Sequence, residues 1–330
     1  MARKQATYWV GFDLGGTKMQ ANVYSETWKV QGQRRRKTKG YEGVKEGVGR
    51  MIDTLREALQ ESGVMPSRLG GIGMGCPGPL DLQRGVILDT PNLGWKNVPV
   101  KAMLEKEFKC PVVIANDVDA GTYGEYVGGA AKGARSALGV FPGTGIGGGL
   151  VYNGDIYHGT RSSCLEIGHI CVQPDGPLCG CGRRGCLEAV CSRLAIASAC
   201  IEAAYRGQAP HLLKLAGTDL DKIRSGILLQ AIEEGDKVVE RILIDSARAL
   251  GDGLASLINV LAPDVVVLGG GLVEAMPALY RREVEARARE VSMAAFRHQF
   301  KLRVAKLGDD AASLGAAAWA RRVVVEHGRR

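Results

Sequence analysis

Apolar positions between Tyr8 and Tyr24 fall in two short runs, Y-W-V-G-F-D-L and M-Q-A-N-V-Y, separated by Gly15-Gly16-Thr17-Lys18. The pattern predicts a buried strand, a tight turn and a second strand, Met19 to Tyr24. From Glu42 to Ser62 the spacing changes to that of a helix, with Val44, Val48, Met51, Ile52, Leu55 and Leu59 on one face and Gly63 as its stop. Leu69 to Met74 predicts a strand opening onto the stiff loop Gly75-Cys76-Pro77-Gly78-Pro79-Leu80-Asp81, and Asp89 to Trp95 a second loop. Pro99 to Phe108 predicts a helix, Pro111 to Ala115 a strand, and Val118 to Val127 a further helical segment.

A similar plan then restarts. Ser136 to Phe141 predicts a strand, Gly143 to Gly149 a glycine turn, Leu150 to Tyr152 a return strand, and Asn153-Gly154-Asp155 a hairpin. Ser192 to Arg206 reads as one helix, followed by Ile227 to Glu234 and Asp236 to Leu261. In the last of these, Val239, Ile242, Leu243, Leu250, Leu254, Leu257, Ile258 and Leu261 make a core-facing stripe. Asp264 to Leu268 predicts a buried strand entering Gly269-Gly270-Gly271. Pro277 to Glu290 is helical, Leu302 to Leu307 a strand, and Ala311 to Val325 a closing helix that packs back on the first domain. Gly63 to Leu69 and Gly207 to Lys222 read only as surface connections.

The chain has 330 residues, enough for two domains. The expected division is 1–115, joined by the closing segment 311–330, and 116–310. The 46 glycines sit in short loops rather than in a repeat, which points to ligand loops. A net charge of +8 raises nucleic acid as a partner. The basic residues are spread out, however, and the run Arg34-Arg35-Arg36-Lys37 lacks interleaved aromatics, so a solvated edge is the reading taken. Nine cysteines without a secretory leader pattern predict a reducing, cytoplasmic setting, and no apolar run reaches membrane-spanning length.

Glu166 to Glu188 concentrates the chemistry: E-I-G-H-I-C-V-Q-P-D-G-P-L-C-G-C-G-R-R-G-C-L-E. Cys179, Cys181 and Cys186, with His169 ten residues upstream of Cys179, form a Cys3His set that suits a structural Zn2+ closed to water. The plainer readings are reduced cysteines or a redox pair, although redox pairs are usually Cys-x-x-Cys. Asp13-Leu14-Gly15-Gly16-Thr17-Lys18 can lay backbone N–H groups and a cation against phosphate, with Asp13 holding Mg2+; an ordinary hairpin is the alternative. It lacks the spacing of a Walker loop, and G-T-G-I-G-G-G at 143–149 is followed by a strand, which rejects a dinucleotide fingerprint. Asn116-Asp117 ends a strand, where α/β ligands bind, and Asp117 equally suits a helix cap. Asn92 reads as a turn residue or a polyol contact.

The run E-x-G-H followed by C-x-C-G-x-x-G-C-x-E resembles the signature of the ROK family of bacterial sugar kinases, sugar-responsive repressors and open reading frames. Ser163-Cys164-Leu165 departs from that family's small, glycine-containing lead-in to the glutamate. The resemblance covers essentially the whole chain. It implies an α/β, actin/hexokinase-like (ribonuclease H-like) two-domain fold with a cleft between the domains, use of ATP and Mg2+, and a homodimer. It further implies phosphate loops at Gly15, Gly16, Thr17 and Lys18 and at Thr144 and Gly145, a nucleotide loop at Gly270 and Gly271, and Asp117 as catalytic base. Asn92, Asn116, Glu166, His169 and Glu188 would bind the sugar. The repressor members carry an N-terminal winged helix, for which a first strand beginning by Tyr8 leaves no room. The polyphosphate-using branch resembles D-x-G-G-[ST]-G-x-K, which G-G-T-K does not match. Gly75-Cys76-Pro77-Gly78-Pro79 and Asn92-Leu93-Gly94-Trp95 look like the glucose-kinase pattern, with N-acetylmannosamine kinases as the nearest rival.

Overall fold

The computed structural model describes residues 7–90 and 93–326. Along the chain lie β1 (Tyr8–Leu14), β2 (Lys18–Tyr24), β3 (Val30–Lys37), α1 (Val44–Ser62), β4 (Leu69–Cys76), β5 (Leu80–Asp81), β6 (Val86–Thr90), β7 (Trp95–Val98), α2 (Val100–Phe108), β8 (Val112–Asn116) and α3 (Asp117–Val127). Then come β9 (Ser136–Pro142), β10 (Ile146–Tyr152), β11 (Asp155–Ile156), α4 (Leu187–Cys191), α5 (Arg193–Tyr205), α6 (Pro210–Ala216), α7 (Ser225–Glu233) and α8 (Lys237–Leu261). The series closes with β12 (Val265–Leu268), α9 (Gly271–Ala275), α10 (Pro277–Val291), β13 (Lys301–Val304) and α11 (Ala311–Arg321). The chain divides into two compact units. The first holds the residues up to Arg135, Gly149–Leu165 and those from Asp309 onward; the second holds Ser136–Gly148 and Glu166–Gly308.

In the first unit a five-stranded sheet has the order β3-β2-β1-β4-β8. Strands β1, β4 and β8 run parallel, in the registers Asp13↔Gly75, Gly75↔Ala115 and Cys76↔Asn116, so their carboxyl ends share one edge. Val10, Phe12 and Leu14 of β1 and Ile72 and Met74 of β4 are fully buried. Helix α1 covers one face with Val48, Met51, Leu55 and Leu59, and ends at Gly63 with φ 65°. A Cβ there would be strained, which is why glycine stops the helix. The other face takes α11, seated so closely that a Cβ on Gly73 would lie 1.8 Å from the backbone oxygen of Ala316. Gly11 shows the same approach to Ser313, and Gly315 to Ala120 of α3.

Three short strands, β5-β6-β7, form a second sheet in the same unit and hold the fully buried Trp95. The sequence reads this region as two loops. The strands are two to five residues long, too short for alternation to declare them. Asn92 lies outside the described residues.

In the second unit β12 lies between β9 and β13, parallel to both. All four residues of β12 are buried, as a strand covered on both faces requires. Helix α8 buries Val239, Leu243, Leu250, Leu254 and Ile258 and packs on α10, α5 and α4. The glycine turn after β9 is shorter than its seven residues suggest, because β10 already begins at Ile146. The helix expected from Ser192 to Arg206 is α5, and Ser192 caps it by accepting a hydrogen bond from Ala195 N at 3.3 Å; the short α4 precedes it, over residues whose pattern predicted no element. The stretch read as a surface connection contains α6, opened by Pro210 in its first turn. Among the described residues no helix is long and apolar enough to cross a membrane.

Candidate active site and metal centre

In the first unit the sheet edge formed by β1, β4 and β8 gathers the acidic residues. Asp13 is the next-to-last residue of β1, beside the Gly15–Thr17 turn, which is closed by a hydrogen bond from Gly15 N–H to Lys18 O at 2.9 Å. A Cβ on Gly15 would come within 2.8 Å of that oxygen, so the turn is built for glycine. Thr38 pins it from outside, its hydroxyl donating to Gly15 O at 2.7 Å and its N–H to Thr17 O at 2.9 Å. Thr17 and Gly16 are exposed, and the Lys18 ammonium contacts Asp309. Burial, then the charge of Asp117, pushes the Asp13 carboxyl up to about 7, against the opposing pull of Lys18.

Asn116 and Asp117 stand where β8 becomes α3. Asn116 is the cap: its Oδ1 accepts from Val118 N at 2.9 Å and from Asp119 N at 3.4 Å. Asp117 is therefore the first residue inside the helix rather than its cap, and its Oδ1 also accepts from Val118 N at 2.9 Å. It is half-buried at the positive end of the helix, which favours a carboxylate. Gly75, the register partner of Asp13 on β4, leaves space beside Asp117, since a Cβ there would lie 3.5 Å from the Asp117 Cα. One neighbour escaped the sequence reading. Ser163, in the irregular lead-in, donates to Asp119 Oδ2 at 2.6 Å, and Asp119 is buried.

In the second unit His169, Cys179, Cys181 and Cys186 come together, their ligand atoms all within 4.8 Å of one another. The His169 Nδ1 lies 3.5 Å from Cys179 Sγ, and Cys181 Sγ lies 3.6 Å from Cys186 Sγ. A tetrahedral zinc with sulfur ligands at about 2.3 Å sets sulfur–sulfur edges near 3.8 Å, so the set fits that ion. Backbone and side-chain hydrogen bonds from Arg183 hold the Cys181 thiol down at about 6, favouring the thiolate a metal requires. Gly182 and Gly185, at φ 86° and 72°, provide the turns that wrap the loop.

Glu188 links this centre to the second glycine turn. Its Oε2 accepts from Ile146 N at 3.0 Å and its Oε1 lies 4.0 Å from Cys179 Sγ. A Cβ on Gly145 would fall 2.4 Å from Oε2, so the carboxylate lies directly on the turn. Gly143 N–H closes the turn onto Gly145 O at 2.8 Å, and Arg193, unremarked in the sequence, donates to the Thr144 hydroxyl at 2.7 Å. Gly270, at φ 84°, passes within 2.7 Å of Pro142 O when given a Cβ, bringing the third glycine loop against the end of β9. Glu166 is exposed; its carbonyl accepts from His169 N at 3.0 Å in the turn that presents the imidazole.

Comparison with known proteins agrees with this architecture, which is that of the actin/hexokinase-like two-domain α/β class. The family model described as "ROK family" matches residues 9–323, and the chain belongs to the ROK family. A glucokinase of Halalkalibacterium halodurans is 32% identical over 312 residues, covering 93% of each chain. The crystal structure of a ROK family glucokinase from Streptomyces griseus, in complex with glucose and AMPPNP, superposes with a TM-score of 0.80 at 30% identity, over 96% of this chain and 99% of that one. A ROK hexokinase from Thermus thermophilus gives a TM-score of 0.78 at 35% identity with the same coverage.

Proposed function

We propose that the protein is an ATP-dependent hexose kinase that phosphorylates the primary 6-hydroxyl of glucose. The observation that carries this reading is Asp117, a half-buried carboxylate at the carboxyl end of a parallel strand and at a helix N-terminus, beside the Asp13 and glycine turn of β1. The relatives named glucokinase, and the one crystallised with glucose and AMPPNP, support it.

Phosphoryl transfer demands positioning and charge neutralisation more than covalent chemistry. Asp117 is the general base, taking the proton from the sugar hydroxyl as its oxygen attacks the γ-phosphate. Asn116 is tied as the cap through Oδ1, which leaves its amide N–H groups for a hydroxyl. Asp13 would hold Mg2+; a carboxyl forced up by burial and by a neighbouring acid gains from a divalent cation, whose chemistry is to neutralise the donor phosphates. The Gly15–Lys18 turn presents backbone N–H groups and an ammonium to those phosphates. Thr144, Gly145, Gly270 and Gly271 serve the nucleotide, and Glu166, His169, Glu188 and Asn92 bind sugar hydroxyls. A carboxylate suits a polyol because each oxygen accepts from neighbouring hydroxyls. Zinc held by His169, Cys179, Cys181 and Cys186 would fix the loop that carries His169 and Glu188, a structural role only.

An ADP-coupled assay with ATP and a panel of hexoses tests the reading. The expected result is that kcat/KM for glucose exceeds that for N-acetylmannosamine, N-acetylglucosamine, mannose and fructose, because an unpaired buried polar group costs about 1–3 kcal/mol, or roughly ten- to a hundredfold. A tenfold preference for another sugar removes glucose and leaves the kinase; no turnover with any hexose removes both.

A further inference from the structure

The basic run on β3 splits between the two faces of the sheet. Arg34 and Arg36 turn to α1, where both bind Glu57. Arg35 points the other way: its Nε and Nη2 donate to Gln20 Oε1 at 2.8 and 2.5 Å, and its Nη1 lies 3.1 Å from Asp309 Oδ2. Asp309's other oxygen contacts the Lys18 ammonium. Lys37 is the direct cross-strand partner of Lys18 and shares its face. Three cations thus line one side of the hairpin that carries the Gly15–Thr17 turn, and two lysines stand directly opposite each other, which is unfavourable unless an anion lies between.

Asp309 supplies an anion to Lys18 and Arg35, but on loose terms. Side-chain exposures are 43% for Lys18, 46% for Arg35 and 52% for Asp309. Ion pairs this wet contribute little and exchange readily. Its neighbour Asp310 is held more firmly, accepting from Gln20 at 2.6 Å, Gln33 at 3.1 Å and Asn22 at 3.2 Å. The 3-10 turn Gly308–Asp310 is therefore anchored by one carboxylate while the other lies on two cations beside the phosphate turn.

We propose that Arg35 is a second cation, with Lys18, for the terminal phosphates of a nucleoside triphosphate, and that Asp309 is the internal counter-anion those phosphates displace. This inference rests on the kinase reading above. Arg35 suits the role because its guanidinium fork meets phosphate oxygens in pairs, and Gln20 already fixes its plane. Asp309 competes for the same donors, so it weakens donor binding and hastens release of the diphosphate.

Calorimetric titration of ATP and of AMP into the wild type, Arg35→Ala, Arg35→Lys and Asp309→Asn, with Mg2+ present, tests this. Arg35→Ala should weaken ATP about tenfold, the worth of a hydrogen bond to a charged group. Arg35→Lys should lose less. Asp309→Asn should tighten ATP about two- to fivefold, in line with an exposed ion pair. AMP, which lacks the terminal phosphates, should bind all four proteins alike; a merely structural effect would move AMP too. Arg35→Ala within twofold of wild type, weaker ATP binding by Asp309→Asn, or an equal loss for AMP overturns the proposal. If the wild type binds no ATP, the kinase reading falls with it. If it binds ATP and phosphorylates glucose while the variants match it, this inference alone falls.

Discussion

Asp13, next to last in β1, and Asp117, the residue that follows β8, stand at the carboxyl ends of two parallel strands with only β4 between them, and after burial the charge of Asp117 is the largest influence raising the Asp13 carboxyl to about 7. The folded chain thus binds a proton at Asp13 that the unfolded chain, near 3.8, has already released. Between those values the folded state holds more protons, so this residue's contribution to stability falls as pH rises from about 4 to about 7. Asp13→Asn removes that dependence. In magnesium-free buffer the variant's Tm, relative to wild type, should climb between pH 5 and pH 8. A difference in Tm that stays flat across that interval contradicts the assignment.

Asp117→Asn keeps the shape and the cap and removes the base. Turnover of glucose should drop by about a hundredfold or more, the usual worth of a general base, while KM moves within a modest factor. Steady-state kinetics at saturating ATP checks this. Near-normal kcat would take Asp117 out of the reaction.

The four-ligand cluster predicts about one zinc per chain by elemental analysis, the count for a single tetrahedral site. Cys181→Ala should lose metal and melt at lower temperature together, because metal binding and loop folding are coupled. Zinc removed by exhaustive chelation with no change in Tm or activity would deny it a structural role.

The sequence exposed most clearly what is local. His169 to Cys186 carries all four ligand candidates within one stretch, and the glycines at 182 and 185 mark where it must turn. Asp13, Asn116 and Asp117 were legible because apolar runs end at them. Other relationships lay beyond the reach of periodicity. Arg35 and Asp309 are paired by the fold across most of the chain, and nothing in a run of arginines tells which of them meet Glu57 and which meets Asp309. The β5-β6-β7 sheet is made of strands too short to alternate. One signal was present and passed over: Pro210 at the start of α6.

The seating of α11 has a consequence for how the chain is made. Gly11 and Gly73 leave β1 and β4 bare so that the backbone around Ser313 and Ala316 can lie on them, and Gly315 does the same for α3. Strand β1 is thus buried by a helix synthesised long after it. Until α11 is translated, that face of the first unit's sheet remains uncovered, while nearly all of the second unit, Ser136–Gly148 and Glu166–Gly308, has already been synthesised. Domains generally fold as units during synthesis, so the later-starting unit is the first that can be complete. Order of closure runs against order of translation, and the exposed strands Tyr8–Leu14 and Leu69–Cys76 are the surfaces a chaperone would meet on the nascent chain.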